Sequence, residues 1–240
     1  MLDQGRRPGN VNDWLRQIRA VAFDVDGTFY DSRQLWKVVR WSWLRDLRLV
    51  IAFDRVREAL RETDQNHDLR RLQVEMVAER LQRDETDVRA RLNAIFYEES
   101  GWLNRAGRLT LYRSFREFLE LLVAAGIEIG ILSDFPIEPK LTLWGLSGYP
   151  WKTQLNTEDL GCLKPSPIAF QQLARDLACD PSEILYVGDK ESRDIVGAKR
   201  SGIRAARISH RQVSSQADLI FCCYQQLIEL FQRHPAVGRG

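Results

Sequence analysis

Two aspartates, Asp24 and Asp26, stand at the end of the apolar run Ala20-Val21-Ala22-Phe23 and are followed at once by Gly27 and Thr28. Side chains at i and i+2 leave a strand on the same face, so both carboxylates are expected to point the same way, where Gly27 lets the backbone turn out of a sheet. Paired oxygen donors of this kind suit a hard cation such as Mg2+, with a nucleophile held beside it. Alone, Asp-x-Asp-Gly is equally a turn or a calcium-loop fragment. Three more places carry groups that could work with the first pair. Ser133-Asp134 closes the apolar run 127–132, Gly188-Asp189 closes 184–187 with Asp194 just beyond, and Lys164-Pro165-Ser166-Pro167 opens a helical stretch.

Strands and helices that alternate must position these groups. Short apolar runs at 20–23, 127–132, 184–187, 203–208 and 219–221, with a weaker one around 153–156, read as strands; helical periodicity fills the intervals. Ser114-Phe115-Arg116-Glu117 reads as a capping-box start with Ser114 as cap, and Gly126 as the stop of that helix. Ser166 reads as a cap with Pro167 at the first helical position, where its missing N–H costs nothing. The expected fold is α/β, a Rossmann-like parallel sheet with helices on both faces and right-handed crossovers. Ligands of such sheets bind outside the carboxyl ends of the strands, where Asp24, Asp26, Ser133, Asp134, Gly188 and Asp189 fall.

Between about Gln34 and Ser100 only helical spacing is found, through Trp36, Val39, Trp43 and Leu47, then Leu69, Leu72, Met76 and Val77, then Val88, Leu92, Ile95 and Phe96, with polar breaks expected near 63–66 and 83–86. This predicts an all-helical insertion, 31–108, in a core made of 1–30 and 109–240. Its arginines (Arg40, Arg45, Arg48, Arg55, Arg57, Arg61, Arg70, Arg71) are interleaved with acids and read mostly as solvated faces with i,i+4 pairing. A few could reach down to a second anionic group of a substrate. Trp36 and Trp43 read as core of the insertion, and Trp41 as the better candidate for a contact.

Composition sets limits. The 240 residues, 44% hydrophobic and 28% charged, describe an ordinary globular chain. A net charge of +2 argues for neither nucleic acid nor membrane as partner. No apolar run approaches a bilayer span and the polar start lacks a signal peptide's apolar region, so a cytoplasmic address is expected. Cys162, Cys179, Cys222 and Cys223 make no zinc spacing with the three histidines and read as buried free thiols.

Taken together, the four motifs resemble the haloacid dehalogenase superfamily of hydrolases, in its phosphatase-like branch with a helical cap after the first motif. Asp24-Val25-Asp26-Gly27-Thr28 matches the nucleophile motif, Ile131-Leu132-Ser133-Asp134 the second, Lys164-Pro165 the third, and Gly188-Asp189 through Asp194 the acidic fourth, in order over residues 20–208. The resemblance implies a Mg2+-dependent phosphatase acting on a small phosphorylated metabolite. Asp24 would be the nucleophile that forms an aspartyl-phosphate, and Asp26 the general acid and then base. Asp24, Asp189 and the Asp26 backbone carbonyl would hold Mg2+, with Asp194 in support. Ser133 and Lys164 would bind the phosphoryl group with Asp134 alongside, and Thr28 would support the loop after the nucleophile. Dehalogenases of the family lack the second acid, and phosphonatases need a cap lysine, for which only Lys37 is on offer. A phosphomutase or other phosphotransferase fits the same motifs, and a non-catalytic binding protein on this fold is the alternative of another class.

Overall fold

The computed structural model describes residues 14–34, 37, 46–61, 68–98 and 109–234. Six parallel strands make one sheet: β1 (Ala20–Phe23), β2 (Glu128–Ser133), β3 (Trp151–Asn156), β4 (Ile184–Gly188), β5 (Arg204–Ile208) and β6 (Leu219–Phe221). Their order is β3-β2-β1-β4-β5-β6. The chain thus builds outward from β1 in one direction, then returns to its other side. Val21 pairs with Ile129 on one flank and Leu185 on the other, so the carboxyl ends of β2 and β4 lie on either side of Asp24. This is the switch point at which open parallel sheets hold their ligands.

β1 is buried along its length, as expected of a central strand covered on both faces, and its alternation sorts two cores. Val21 and Phe23 face the layer of α4 (Phe115–Ala124) and α8 (Tyr224–Arg233), where the Phe23 ring meets Phe115 edge-on at 5.8 Å. Ala20 and Ala22 face α6 (Pro167–Leu177) and α7 (Val196–Arg200), where Phe170, Tyr186 and Ile195 supply the volume the alanines lack. Between β1 and α4 the chain forms α1 (Leu47–Leu60), α2 (Leu69–Leu81) and α3 (Glu85–Leu92), with an apolar cluster of their own built on Phe53, Val56, Val77, Val88 and Leu92. Leu163 and Phe135, neighbours of Lys164 and Asp134, join that cluster from the sheet side. The short α5 (Glu138–Leu143) follows β2.

Several local expectations change. Ser114 precedes α4 at φ 64° and its side chain caps nothing; in that backbone region the hydroxyl cannot reach back to the helix N–H groups. Gly126, at φ +69°, ends the helix as read. Ser166 occupies the cap position of α6 and Pro167 its first turn, without a side-chain capping bond. A full capping box forms instead at Asp180 and Glu183, ahead of β4. The weak third strand extends two residues further back than 153–156, to Trp151. The four cysteines are free, but only Cys162 is buried and Cys222 is exposed. Trp36, Trp41, Trp43, Arg40 and Arg45 lie outside the described residues, as does the expected break at 63–66. The break at 83–86 is present, with Asp84 accepting from the N–H groups of Thr86 and Asp87.

Packing on the second face leaves a testable constraint. A Cβ on Gly197 would stand 2.2 Å from the Phe170 ring, which Tyr186 blocks from behind, edge-on at 5.1 Å. Gly197→Ala is expected to lower stability by about 1–3 kcal/mol, the usual cost of overpacking a filled core, measured as a shift in urea midpoint without change of slope.

Candidate active site

The polar groups that end β1, β2 and β4 meet the loop carrying Lys164 around a cavity of about 300 Å³, lined among others by Asp24, Asp26, Ser133, Lys164, Asp189 and Arg193. Asp24 still belongs to the sheet through its N–H, which donates to the Val187 carbonyl at 2.9 Å. Its carboxylate is held on both sides. Lys164 Nζ donates to Oδ1 at 2.6 Å and Thr28 Oγ1 to Oδ2 at 3.3 Å. Thr28 is itself fully buried, and its carbonyl accepts from Tyr224 at 2.9 Å, so its contact is with the carboxylate it orients.

Lys164 is the junction of the site. Besides Asp24, its ammonium donates to Asp194 Oδ1 at 2.6 Å, to the Tyr186 hydroxyl at 3.1 Å and to the Leu132 carbonyl at 3.4 Å. Burial works against the charge, but Asp194 and Asp24 outweigh it and hold the lysine's pKa well above its ordinary value. The Lys164-Pro165 peptide is cis. Asp194 is buried and uses its second oxygen to accept the Lys190 N–H at 2.9 Å.

Asp24, Asp189 and Asp194 each place a carboxylate oxygen within 4.8 Å of the others. Asp189 Oδ1 is buried with no hydrogen-bond partner among the described residues, while Oδ2 lies 3.0 Å from Lys190 Nζ. Burial, with Asp194 beside it, raises the pKa of Asp189. Burial, joined by Asp194, Asp189 and Asp26 and opposed by Lys164, pushes Asp24 up to about 8. Three crowded acids with an orphaned oxygen are what a hard divalent cation relieves, and the donor set fits Mg2+. The motif glycines make room for the crowding. A Cβ on Gly27, whose φ is +99°, would sit 2.5 Å from Asp189 Oδ2, and one on Gly188 2.4 Å from Asp194 Cβ.

Asp26 lines the same cavity but turns away from this cluster. Its Oδ1 accepts from the Tyr30 hydroxyl at 2.7 Å and its Oδ2 from Lys140 Nζ at 2.5 Å. The expected common direction of the two carboxylates therefore holds only as far as the shared cavity. The strand ends at Phe23, and the turn that follows gives the two aspartates different partners. Ser133 is buried with its hydroxyl accepting the Phe135 N–H at 3.2 Å. The Asp134 carboxylate is filled by protein donors: Arg61 at 2.7 Å on Oδ2, and the Thr157 hydroxyl at 2.7 Å and Lys164 N–H at 3.0 Å on Oδ1. Arg61, Lys164 and Arg57 outweigh its burial and hold its pKa far below the ordinary carboxylate range.

Five residues here escaped the sequence: Lys140, Tyr30, Tyr186, Arg57 and Arg61. Lys140 sits seven positions after Ser133 in what reads as a plain helix, yet its side chain is fully buried against Asp26. Arg48, Arg55 and Arg71 are exposed as expected, with Arg71 paired to Glu75 at i,i+4. Arg57 and Arg61 correct that reading, for they are buried against protein acids and carbonyls. Their only sequence signal is their fall at i and i+4 on the face of α1 that also carries Phe53, Val56 and Leu60.

A profile of the haloacid dehalogenase-like hydrolases matches residues 18–202. The chain belongs to this family of hydrolases. Among curated proteins it is similar to the glyceraldehyde 3-phosphate phosphatase of Methanopyrus kandleri, 27% identical over 203 residues that cover 80% of this chain and 84% of that one. It is also similar to a phosphoglycolate phosphatase of Salmonella typhi, 25% identical over 93% of this chain and 94% of the other. Among solved structures, a 2-haloacid dehalogenase from Pseudomonas syringae pv. tomato superposes with a TM-score of 0.63 at 24% identity, covering 90% of this chain and 99% of that one. A HAD phosphatase from Thermococcus onnurineus gives a TM-score of 0.61 at 23% identity, over 91% of this chain and all of the other. Both share the fold. Among the described residues no helix is long and apolar enough to cross a membrane.

The crowding of acids has a sign that can be checked. Without a cation, burial and the neighbouring acids raise the Asp24 pKa in the folded state from its ordinary 3.8 towards about 8. Between these values the folded state binds the extra proton, so this group's contribution to stability falls as pH rises. Melts in EDTA should therefore show a loss of stability from pH 5 to pH 8 that is smaller in Asp24→Asn. Conversely, Mg2+ at a hundredfold excess over its dissociation constant should stabilise the folded state at pH 8 by about 2.7 kcal/mol, read as a higher melting temperature, and Asp189→Asn should abolish that rise.

Proposed function

We propose that this protein is a Mg2+-dependent phosphatase that hydrolyses a small phosphate monoester through an aspartyl-phosphate on Asp24. The observation that carries the reading is the Lys164 ammonium between Asp24 and Asp194, 2.6 Å from each, beside a buried carboxylate oxygen of Asp189 without a partner. Family membership and the similarity to named phosphatases support it.

Asp24 attacks phosphorus, a P–O bond to the carboxylate forms and the ester P–O bond breaks. Asp26 gives a proton to the departing oxygen. It then takes one from the water that splits the acyl phosphate, which releases inorganic phosphate and restores Asp24. In the arrangement described here both Asp26 oxygens accept hydrogen bonds, from Tyr30 and Lys140, which is the pattern of the ionised base; the acid role requires the carboxyl to turn from one of these donors into the cavity. Ser133 and Lys164 bind the phosphoryl oxygens, and Lys164 also keeps their charge from repelling Asp24. Asp134 serves this set by holding the Lys164 backbone, and Thr28 by orienting Asp24. Asp24 and Asp189, with the Asp26 carbonyl and support from Asp194, would hold Mg2+, which when bound neutralises phosphate charge and orients the ester. Residues 31–108 form a helical cap over a core of 1–30 and 109–240, and keep water from the intermediate when seated.

Asp26 separates this reading from the dehalogenases that share the fold, because a departing halide needs no proton. Asp24→Asn should abolish hydrolysis of p-nitrophenyl phosphate, and EDTA should stop the parent enzyme until Mg2+ is restored. Full turnover by Asp24→Asn would defeat the mechanism. Conversion of a phosphate ester to an isomer without release of inorganic phosphate would favour a phosphomutase instead.

A further inference from the structure

Helix α1 belongs to the insertion, but Arg57 within it and Arg61 at its C-cap end at the backbone of the phosphate-binding loops. Arg61 donates from one nitrogen to Asp134 Oδ2 at 2.7 Å and to the Lys164 carbonyl. Asp134 Oδ1 in turn accepts the Lys164 N–H at 3.0 Å and the Thr157 hydroxyl at 2.7 Å. The Lys164 residue is thus gripped through its own N–H and its own C=O by one acid–arginine pair, while its side chain reaches Asp24. One turn earlier, Arg57 donates to the Asp134 carbonyl at 2.9 Å, next to Ser133, and pairs with Glu158, which lies six residues before Lys164 on the same loop. Its guanidinium lies 4.2 Å over the Phe135 ring. Arg57, Arg61, Asp134, Glu158 and Lys164 are each less than 10% exposed.

Buried ion pairs are poor sources of net stability, because the cost of desolvating the charges is close to what their attraction returns. What this set provides is geometry. An arginine fork has fixed donor directions and cannot slide along a carboxylate as an ammonium can. We infer that Arg57 and Arg61 are positioning residues through which the helical insertion sets the phosphate anchor: α1 fixes the backbone of Lys164 and of Asp134, and so the placing of the Lys164 ammonium and Ser133 hydroxyl at the cavity. Seating of the insertion and ordering of the phosphate site are then one event. This rests on the phosphatase reading for the identity of the anion.

The test is equilibrium binding of inorganic phosphate, followed by calorimetry on the full chain in Mg2+, beside the melting temperature of each variant. Arg61→Lys keeps the charge beside Asp134, and with it the fold, but loses the planar terminal nitrogen whose two hydrogens, fixed in direction, reach Asp134 and the Lys164 carbonyl together. The double variant Arg61→Met with Asp134→Asn removes both buried charges and keeps an amide oxygen for the Lys164 N–H, so that what is lost is the hold on the Lys164 carbonyl. Both are expected to weaken phosphate binding, about tenfold in the double variant, the worth of one charge-assisted hydrogen bond. The same loss should appear in KM for p-nitrophenyl phosphate, and should not follow the order of the melting temperatures. Parent-like phosphate binding in either variant overturns the inference while leaving the phosphatase reading intact. Failure of the parent itself to bind phosphate or hydrolyse any phosphate ester overturns the reading, and the inference with it.

Discussion

The rest of this structure depends on one buried ammonium. Lys164 Nζ stands between Asp24 and Asp194 and touches a strand carbonyl and a tyrosine hydroxyl. Remove that charge and two carboxylates face each other in a low-dielectric pocket, with a third, Asp189, close by. With it, one acid is balanced and the cluster as a whole still carries an excess of negative charge. Under the proposed function, that remainder is what would draw a cation to the pocket, and the cation is what would let a phosphate dianion approach Asp24. The same lysine therefore serves stability and chemistry, and neither can be altered alone.

A charge that deep must be placed accurately, and the fold does so from two directions. The sheet supplies Asp24 from the end of β1, Tyr186 from within β4 and Asp194 from the helical turn after β4, held by parallel pairing with β1 at the centre. Close approach of these elements is possible only because Gly27 and Gly188 leave the space that a methyl would fill. The other direction is the helical stretch between β1 and α4, where Arg57 in α1 and Arg61 at its C-cap reach the loops that carry Asp134 and Lys164. The apolar cluster of the insertion closes over Phe135 and Leu163 at the same place, so packing and ion pairing act on the same two loops.

Much of this was legible in the order of residues. A central strand buried on both faces has to be apolar along its length, which is why 20–23 and 184–187 announce β1 and β4. Chemistry at a strand's carboxyl end has to interrupt that apolarity, which is why Asp24, Ser133 and Asp189 stand out. The capping of α4 was not legible, because Ser114-x-x-Glu117 describes a preference that the turn geometry at Ser114 overrode. The buried arginines were not legible either. Eight arginines among acids look alike in sequence, and only packing separates Arg57 from Arg55 two positions earlier, since they fall on different faces of one helix.

The sequence by itself determined the parallel α/β sheet, the places where polar groups interrupt its apolar runs, and the family to which the chain belongs, because these follow from local periodicity and from motifs that short spacings define. Only the tertiary structure decided which groups meet. Asp26 parts from Asp24 and pairs with Lys140, more than a hundred residues away; Asp134 turns to Arg61 and the Lys164 backbone; Asp189 is left with a bare oxygen. Partners of a buried charge are set by distance in space and by what else can reach it, and neither quantity is written in the spacing of residues along a chain.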